Sequence, residues 1–154
     1  MGREIKFRGW HTIKKIMFSA ETMANDQLTL LPTGQFINVS GQSTKLSRIF
    51  SREEFIPIQF TGLLDKNRKE IYEGDIVVKK GYIWFDEGKP NYRGTVEWIY
   101  SQWQVVAHCI NVDKRGISNG INEGLNDDGV EEGKKSGWEI IGNIYENPEL
   151  LTQP

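Results

Sequence analysis

No segment of this chain sustains a 3.6-residue apolar period for more than a turn or two. Its apolar residues come instead in short runs, several alternating in and out, punctuated by Gly, Pro, Asn and Asp. Period two places successive side chains on opposite faces of a strand, so such runs are strands, and the punctuation marks their turns. A chain of this kind buries its surface by packing sheets, since it has no long amphipathic helix to lay across them. The expected fold is therefore mainly β (a β-rich α+β chain): small twisted sheets, short helices only, rolled into a barrel or sandwich.

Particular stretches carry this expectation. In Arg3 to Trp10, Ile5 and Phe7 point one way while Glu4, Lys6 and Arg8 point the other, as in a half-buried strand. Lys15-Ile16-Met17-Phe18 is a second run, and His11 to Lys14 is short enough to close a hairpin between them. Pro32-Thr33-Gly34 reads as a turn before a strand at Gln35 to Val39, and Ser40 to Ser47 as a polar loop. Ser51-Arg52-Glu53-Glu54 has capping-box form, which suits a short helix or a solvated turn before Pro57. Ile58 to Leu64 is a strand, Asp65 to Arg68 a turn, Lys69 to Tyr72 the return, Glu73-Gly74-Asp75 a turn, and Ile76-Val77-Val78 a strand. Asp86 to Asn91 reads as a loop.

Thr95 to Tyr100 alternates, with Val96, Trp98 and Tyr100 on one face. That grouping makes Trp98 and Tyr100 core residues. Trp103 to Ile110 runs back after a Ser101-Gln102 turn, a pair that the tight hairpin turns do not favour. Residues 111–137 hold six Gly and ten charges in 27 residues. So polar a stretch buries too little to offset its chain entropy and reads as a flexible insertion. Trp138 to Tyr145 is the closing strand, and Asn147-Pro148 starts a short helix.

The familiar chemical motifs fail one by one. Two histidines and one cysteine cannot supply a four-ligand zinc site. His108 and Cys109 are adjacent and face opposite sides of a strand. With Gly129 as the turn glycine of a calcium loop, Gly124 falls at the first ligand position and supplies none. Gly133-Lys134-Lys135-Ser136 lacks the earlier glycine of a phosphate loop, because Asp128 stands there. No cofactor is expected and no catalytic or metal residue is named. Asp65, Glu73 and Asp75 are carboxylates in turns, where such groups cap backbone amides.

The aromatic content is the strongest compositional signal. Tyr82, Trp84, Phe85, Tyr92, Trp98, Tyr100 and Trp103 fall within 22 residues. Tyr82, Trp84, Tyr92 and Trp103 form the expected binding surface. Aromatics on a small β fold grip peptides or stack bases. A nucleic-acid groove also needs positive charge, and the net charge is −2. The basic candidates are Arg3, Lys6, Arg8 and Lys15. The N-terminus is charged and lacks the apolar core of a secretory signal, and no apolar run suits a membrane helix. The single Cys109 fits a reducing cytosol.

Three strings carry a family resemblance. They are Arg3-Glu4-Ile5-Lys6-Phe7-Arg8-Gly9-Trp10; Gln59-Phe60-Thr61-Gly62-Leu63-Leu64-Asp65-Lys66-Asn67 through Lys69-Glu70-Ile71-Tyr72-Glu73-Gly74-Asp75-Ile76-Val77; and Ile141-Gly142-Asn143-Ile144-Tyr145-Glu146-Asn147-Pro148-Glu149-Leu150. In order and spacing the whole chain resembles the YopX family of bacteriophage and prophage proteins. It departs at His11, where the family often has Asp, and at Arg68, where it has Gly in the turn. Arg68 either takes a different turn or shifts the left-handed residue to Asn67. The resemblance implies one domain over 1–154, with an N-terminal β subdomain about 1–58. Separately, the Gly74-Asp75-Ile76-Val77 stretch followed by Trp- and Val-rich strands resembles SH3-like barrels, so a C-terminal, partly open barrel of that kind about 59–154 would carry the insertion 111–137. The family resemblance further implies expression in the bacterial cytoplasm during phage growth or prophage carriage. No activity, cofactor or catalytic residue comes with it. The resulting expectation is a non-enzymatic interaction module whose partner is a phage or host protein, or a second copy of itself. The alternative is a nucleic-acid binder in phage replication or transcription control.

Overall fold

The computed structural model describes residues 4–39, 48–80, 91–107, 122–125 and 137–152. Among the described residues the chain is mostly β, with one short α-helix and a curled half-barrel sheet. It divides into two units, Met1–Phe60 and Thr61–Pro154.

In the first unit, β1 (Phe7–His11) and β2 (Ile16–Phe18) form the expected antiparallel hairpin, with Gly9 opposite Phe18 and His11 opposite Ile16. Helix α1 (Ala20–Asn25) follows, a helix absent from the sequence expectation. Ser19 caps it: the Thr22 amide donates to Ser19 Oγ at 3.1 Å. Strands β3 (Leu28–Leu30), β4 (Phe36–Asn38) and β5 (Arg48–Ile49) make a three-stranded sheet. The turn at Pro32 to Gly34 joins the first two as expected. Ser51 to Glu54 is a turn: the Glu54 amide donates to Ser51 Oγ at 3.1 Å, and no helix follows. Strand β6 (Phe55–Leu64) then pairs back with β1, Phe7 opposite Gln59 and His11 opposite Phe55.

The core of this unit is Met23, Phe36 and Phe55, with Phe7, Phe18, Leu28, Leu30 and Phe50 packed against it. Phe55 is at its centre, its ring 4.5 Å from that of Phe36, 5.3 Å from Phe18 and 5.5 Å from Phe50. Gly9 makes room for it, because a Cβ there would stand 2.8 Å from the Phe55 ring. The face of β1 expected to be polar is not solvated. Trp10 shares it with Arg8 and is buried, as are Ile58 and Phe60 on β6. Ile5, expected inside, precedes the strand and is 75% exposed.

The second unit contains the end of β6, which neighbours β7 (Glu70–Tyr72), and then β8 (Asp75–Lys80). Strands β9 (Asn91–Ile99), β10 (Gln102–Ala107), β11 (Asn122–Gly124) and β12 (Glu139–Asn143) complete it. A five-stranded antiparallel sheet runs β11-β10-β9-β8-β12. Its inner face packs Val77, Val96 and Val105 with Ile71, Leu125 and Trp138. Gly94 permits the close β9–β10 approach: a Cβ would meet Val105 Cγ1 at 2.6 Å and the Val106 carbonyl.

The reading of 111–137 as an insertion without structure needs correction. Asn122–Gly124 adds a strand to β10, and Leu125 is 2% exposed within the core. Backbone pairing plus one large apolar side chain suffices to fasten a segment whose average composition is polar. Residues 111–121 and 126–136 of that stretch lie outside the described residues. The chain's last described element is a 3-10 helix (Pro148–Leu151) after Asn147. Asn147 makes no side-chain cap, and its Oδ1 instead accepts from the Asn143 amide at 3.4 Å.

The turn after β6 shows how local chemistry sets the register. The Asp65 carboxylate accepts from the amides of Asn67 and Lys69, both at 2.8 Å, and from Ile140 at 3.2 Å. The left-handed residue in this turn is Arg68 itself, at φ 66°. A Cβ is disfavoured there, so Arg68→Gly is expected to stabilise the chain by about 0.5–1 kcal/mol, the strain relieved exceeding the added unfolded-state entropy. Urea unfolding checks it; a less stable Arg68→Gly variant would show that the arginine side chain contributes more than its backbone costs.

Candidate functional site

The β9–β10 hairpin is the clearest unusual feature of the second unit. Ile99 pairs with Gln102 and Trp98 with Trp103, so the turn is the two residues Tyr100 and Ser101. Both have positive φ, 49° and 65°. That is the geometry that matches strand twist in two-residue hairpins, normally occupied by Asn or Gly. Here a tyrosine and a serine hold it, at a conformational cost. The register expected from sequence, with Ser101-Gln102 as the turn, is thus displaced by one residue.

The aromatic side chains at this end are graded in exposure. Trp103 is half-buried and packs against the core cluster. Trp98 crosses it edge to face, ring centres 4.9 Å apart at 69°, and is 49% exposed. Tyr100 is 87% exposed. This corrects the assignment of Trp98 and Tyr100 to the core. Trp98 shares the inner face with Val96, but alternation fixes the face and not how far the core extends along it, and Tyr100 lies beyond the strand in the turn. An edge-to-face pair is worth about 0.5–1.5 kcal/mol beyond burial, which anchors Trp98 while leaving much of its surface to solvent.

The other sequence-derived candidates are scattered. Tyr82, Trp84 and Arg3 lie outside the described residues. Tyr92 stands in β9 opposite Lys79. Lys6 and Arg8 are partly buried on or beside β1, and Lys15 is exposed in the β1–β2 turn at φ 55°. Arg8 lies on a strand face that also holds buried Trp10. His108 and Cys109 are outside the described residues.

The turn carboxylates are engaged by backbone. Asp65 holds three amides and Asp75 accepts from the Tyr72 amide at 2.8 Å, and both are buried. Nearby, Lys66 Nζ pairs with Glu139 at 2.5 Å. The hydrogen-bonded ammonium holds the Glu139 carboxyl below its ordinary pKa. Among the described residues, no three His, Cys, Asp or Glu side chains are grouped to hold a metal ion. Among them, too, no helix is long and apolar enough to cross a membrane.

The first unit contains a half-open cavity of about 500 Å³ that the sequence reading did not anticipate. Its lining includes His11, Phe18, Phe50 and Phe55, together with Lys14, Asp26, Asn38 and Arg48. Five separate segments contribute, so no contiguous motif signals it.

Comparison with known proteins agrees with the fold. Protein EF1440 from Enterococcus faecalis superposes with a TM-score of 0.55 at 23% identity, covering 97% of this chain and 99% of that one. The protein yopX from Bacillus subtilis gives a TM-score of 0.55 at 18% identity, covering 94% of each chain. At such identities the likeness is one of fold. No curated protein matches the chain. The YopX protein family model matches residues 6–152. That match spans both units, from the first strand to the 3-10 helix, and the chain therefore belongs to the YopX family.

Proposed function

We propose that this protein is a non-enzymatic interaction module of phage or prophage origin. It acts in the bacterial cytoplasm and docks a protein partner on the end of the β9–β10 hairpin. The observation that carries the reading is Tyr100, 87% exposed at a turn whose two residues both hold left-handed backbone. An exposed aromatic kept where glycine or asparagine would fold more easily is what a contact residue looks like. Tyrosine and tryptophan dominate the binding energy of protein interfaces, and half-exposed Trp98 lies two residues before it in the same hairpin. The buried turn carboxylates Asp65 and Asp75, occupied with backbone amides, favour the non-enzymatic reading.

Tyr100→Gly separates binding from folding. Glycine suits the turn, so the variant is expected to melt at or above the wild-type temperature while losing the ring. Tagged full-length protein, recovered from phage-carrying cells with and without nuclease, provides the test. The expected result is a protein partner that survives nuclease and whose affinity for the purified variant falls at least about tenfold. Retention of that partner by Tyr100→Gly at unchanged affinity overturns the hairpin as the docking surface. Recovery only of nucleic acid and its associated proteins, lost on nuclease treatment, overturns the protein-partner reading in favour of a nucleic-acid binder.

A further inference from the structure

The cavity of the first unit combines three kinds of chemistry. Its deep wall is aromatic: the His11 ring lies 5.6 Å from Phe55, 6.2 Å from Phe50 and 6.4 Å from Phe18. Phe55 is buried, whereas Phe18 and Phe50 are only partly buried. Around this wall stand three side-chain amides, Asn25, Gln27 and Asn38. Lys14 and Arg48 add two cations; Asp26 is the lining carboxylate, and Glu54 pairs with Arg48 from beside the lining.

Several of these groups are held in place. The Arg48 guanidinium lies 4.7 Å from the centre of the Phe50 ring and is paired with Glu54. The Asn38 amide nitrogen donates to the Asp26 carbonyl at 3.3 Å. The Lys14 amide donates to His11 Nδ1 at 3.5 Å, a long bond. The volume falls in the class of small-molecule sites.

The rings are mutually tilted, His11 at 33° to Phe18 and 75° to Phe50, so a planar ligand stacks on one ring and meets the others at their edges; the amides pair with an edge carrying both donors and acceptors, and the cations suit an anionic substituent. We propose that this cavity binds a single nucleotide, its base against the Phe18–Phe50 wall and its phosphate toward Lys14 and Arg48. The nucleotide is either free or one unit of a single strand, since the recognised chemistry is the same.

The test uses the full chain with nucleoside 5′-monophosphates of the four bases, inorganic phosphate and a short single-stranded oligonucleotide. Calorimetry gives affinity, and amide NMR shifts at Lys14 and Asn38 give location. At least one mononucleotide or the oligonucleotide is expected to bind with a Kd below about 1 mM, shifting those two residues. Phe50→Leu keeps apolar bulk but removes the ring face and is expected to weaken binding at least about tenfold. Arg48→Gln, at an exposed position, is expected to reduce nucleotide affinity more than nucleoside affinity and covers the case where Phe50→Leu fails to fold. Binding by the oligonucleotide alone assigns the strand as the source. No shift at Lys14 and Asn38 with any probe, equal affinity for phosphate alone, or binding indifferent to both variants overturns the proposal.

Discussion

Phe55→Ala is expected to destabilise the chain by about 4 kcal/mol, within the usual cost of emptying a buried phenylalanine site. Phe55 is 1% exposed and contacts four rings, those of His11, Phe18, Phe36 and Phe50. The cost of such a truncation depends on whether neighbours collapse into the space. Here they are poorly able to. One side of the ring lies against Gly9, which has no side chain to swing inward. The Phe36, Phe50 and His11 rings are rigid, and β1 and β6 are tied by their hydrogen-bond ladder. The variant should melt about 8–16 °C lower. A loss below about 2 kcal/mol would mean that the adjoining cavity had already been counted in the wild-type packing.

Asp65→Ala should be of similar size, about 4 kcal/mol, for a different reason. The carboxylate is fully buried and satisfies the amides of Asn67, Lys69 and Ile140. Removing it takes the acceptor from three part-buried N–H donors, each costing about 1–3 kcal/mol where water does not replace the carboxylate. Asp65→Asn preserves shape and one carbonyl acceptor, so about half the loss is expected. Hydrogen exchange identifies the mechanism: the Asn67, Lys69 and Ile140 amides should lose protection beyond the global change. Uniform loss across the sheet, with these three unremarkable, would show that Asp65 matters only through packing.

The parts of the fold legible in sequence are those determined by neighbours a few residues away. The β1–β2 hairpin, the Asp65 and Gly74 turns, β8 and the closing strand each follow from alternation plus a turn residue. Helix α1 was carried by only one local signal, the Ser19 hydroxyl followed by Ala20 and Glu21, in a stretch with little apolar period. Trp98 and Tyr100 were misplaced because period two reports a face, while exposure depends on where the packed partners end. Leu125 escaped because composition was averaged over a polar stretch that contains one buried residue. The cavity was invisible because its lining is assembled from residues as far apart as His11 and Phe55.

The position of β12 in the sheet also sets a schedule. Its Glu139 pairs with Val78 and its Asn143 with Asp75, so strands adjacent in space are made far apart in time. At ribosomal speeds of about 5–20 residues per second, about sixty residues of intervening chain delay the partner by about 3–12 s. Throughout that interval one edge of β8, with Ile76 and Val77 destined for complete burial, has no cognate strand. The nascent chain is therefore most open to mispairing just before β12 emerges, and slower translation of the 111–137 region would lengthen its exposure to other unfinished copies.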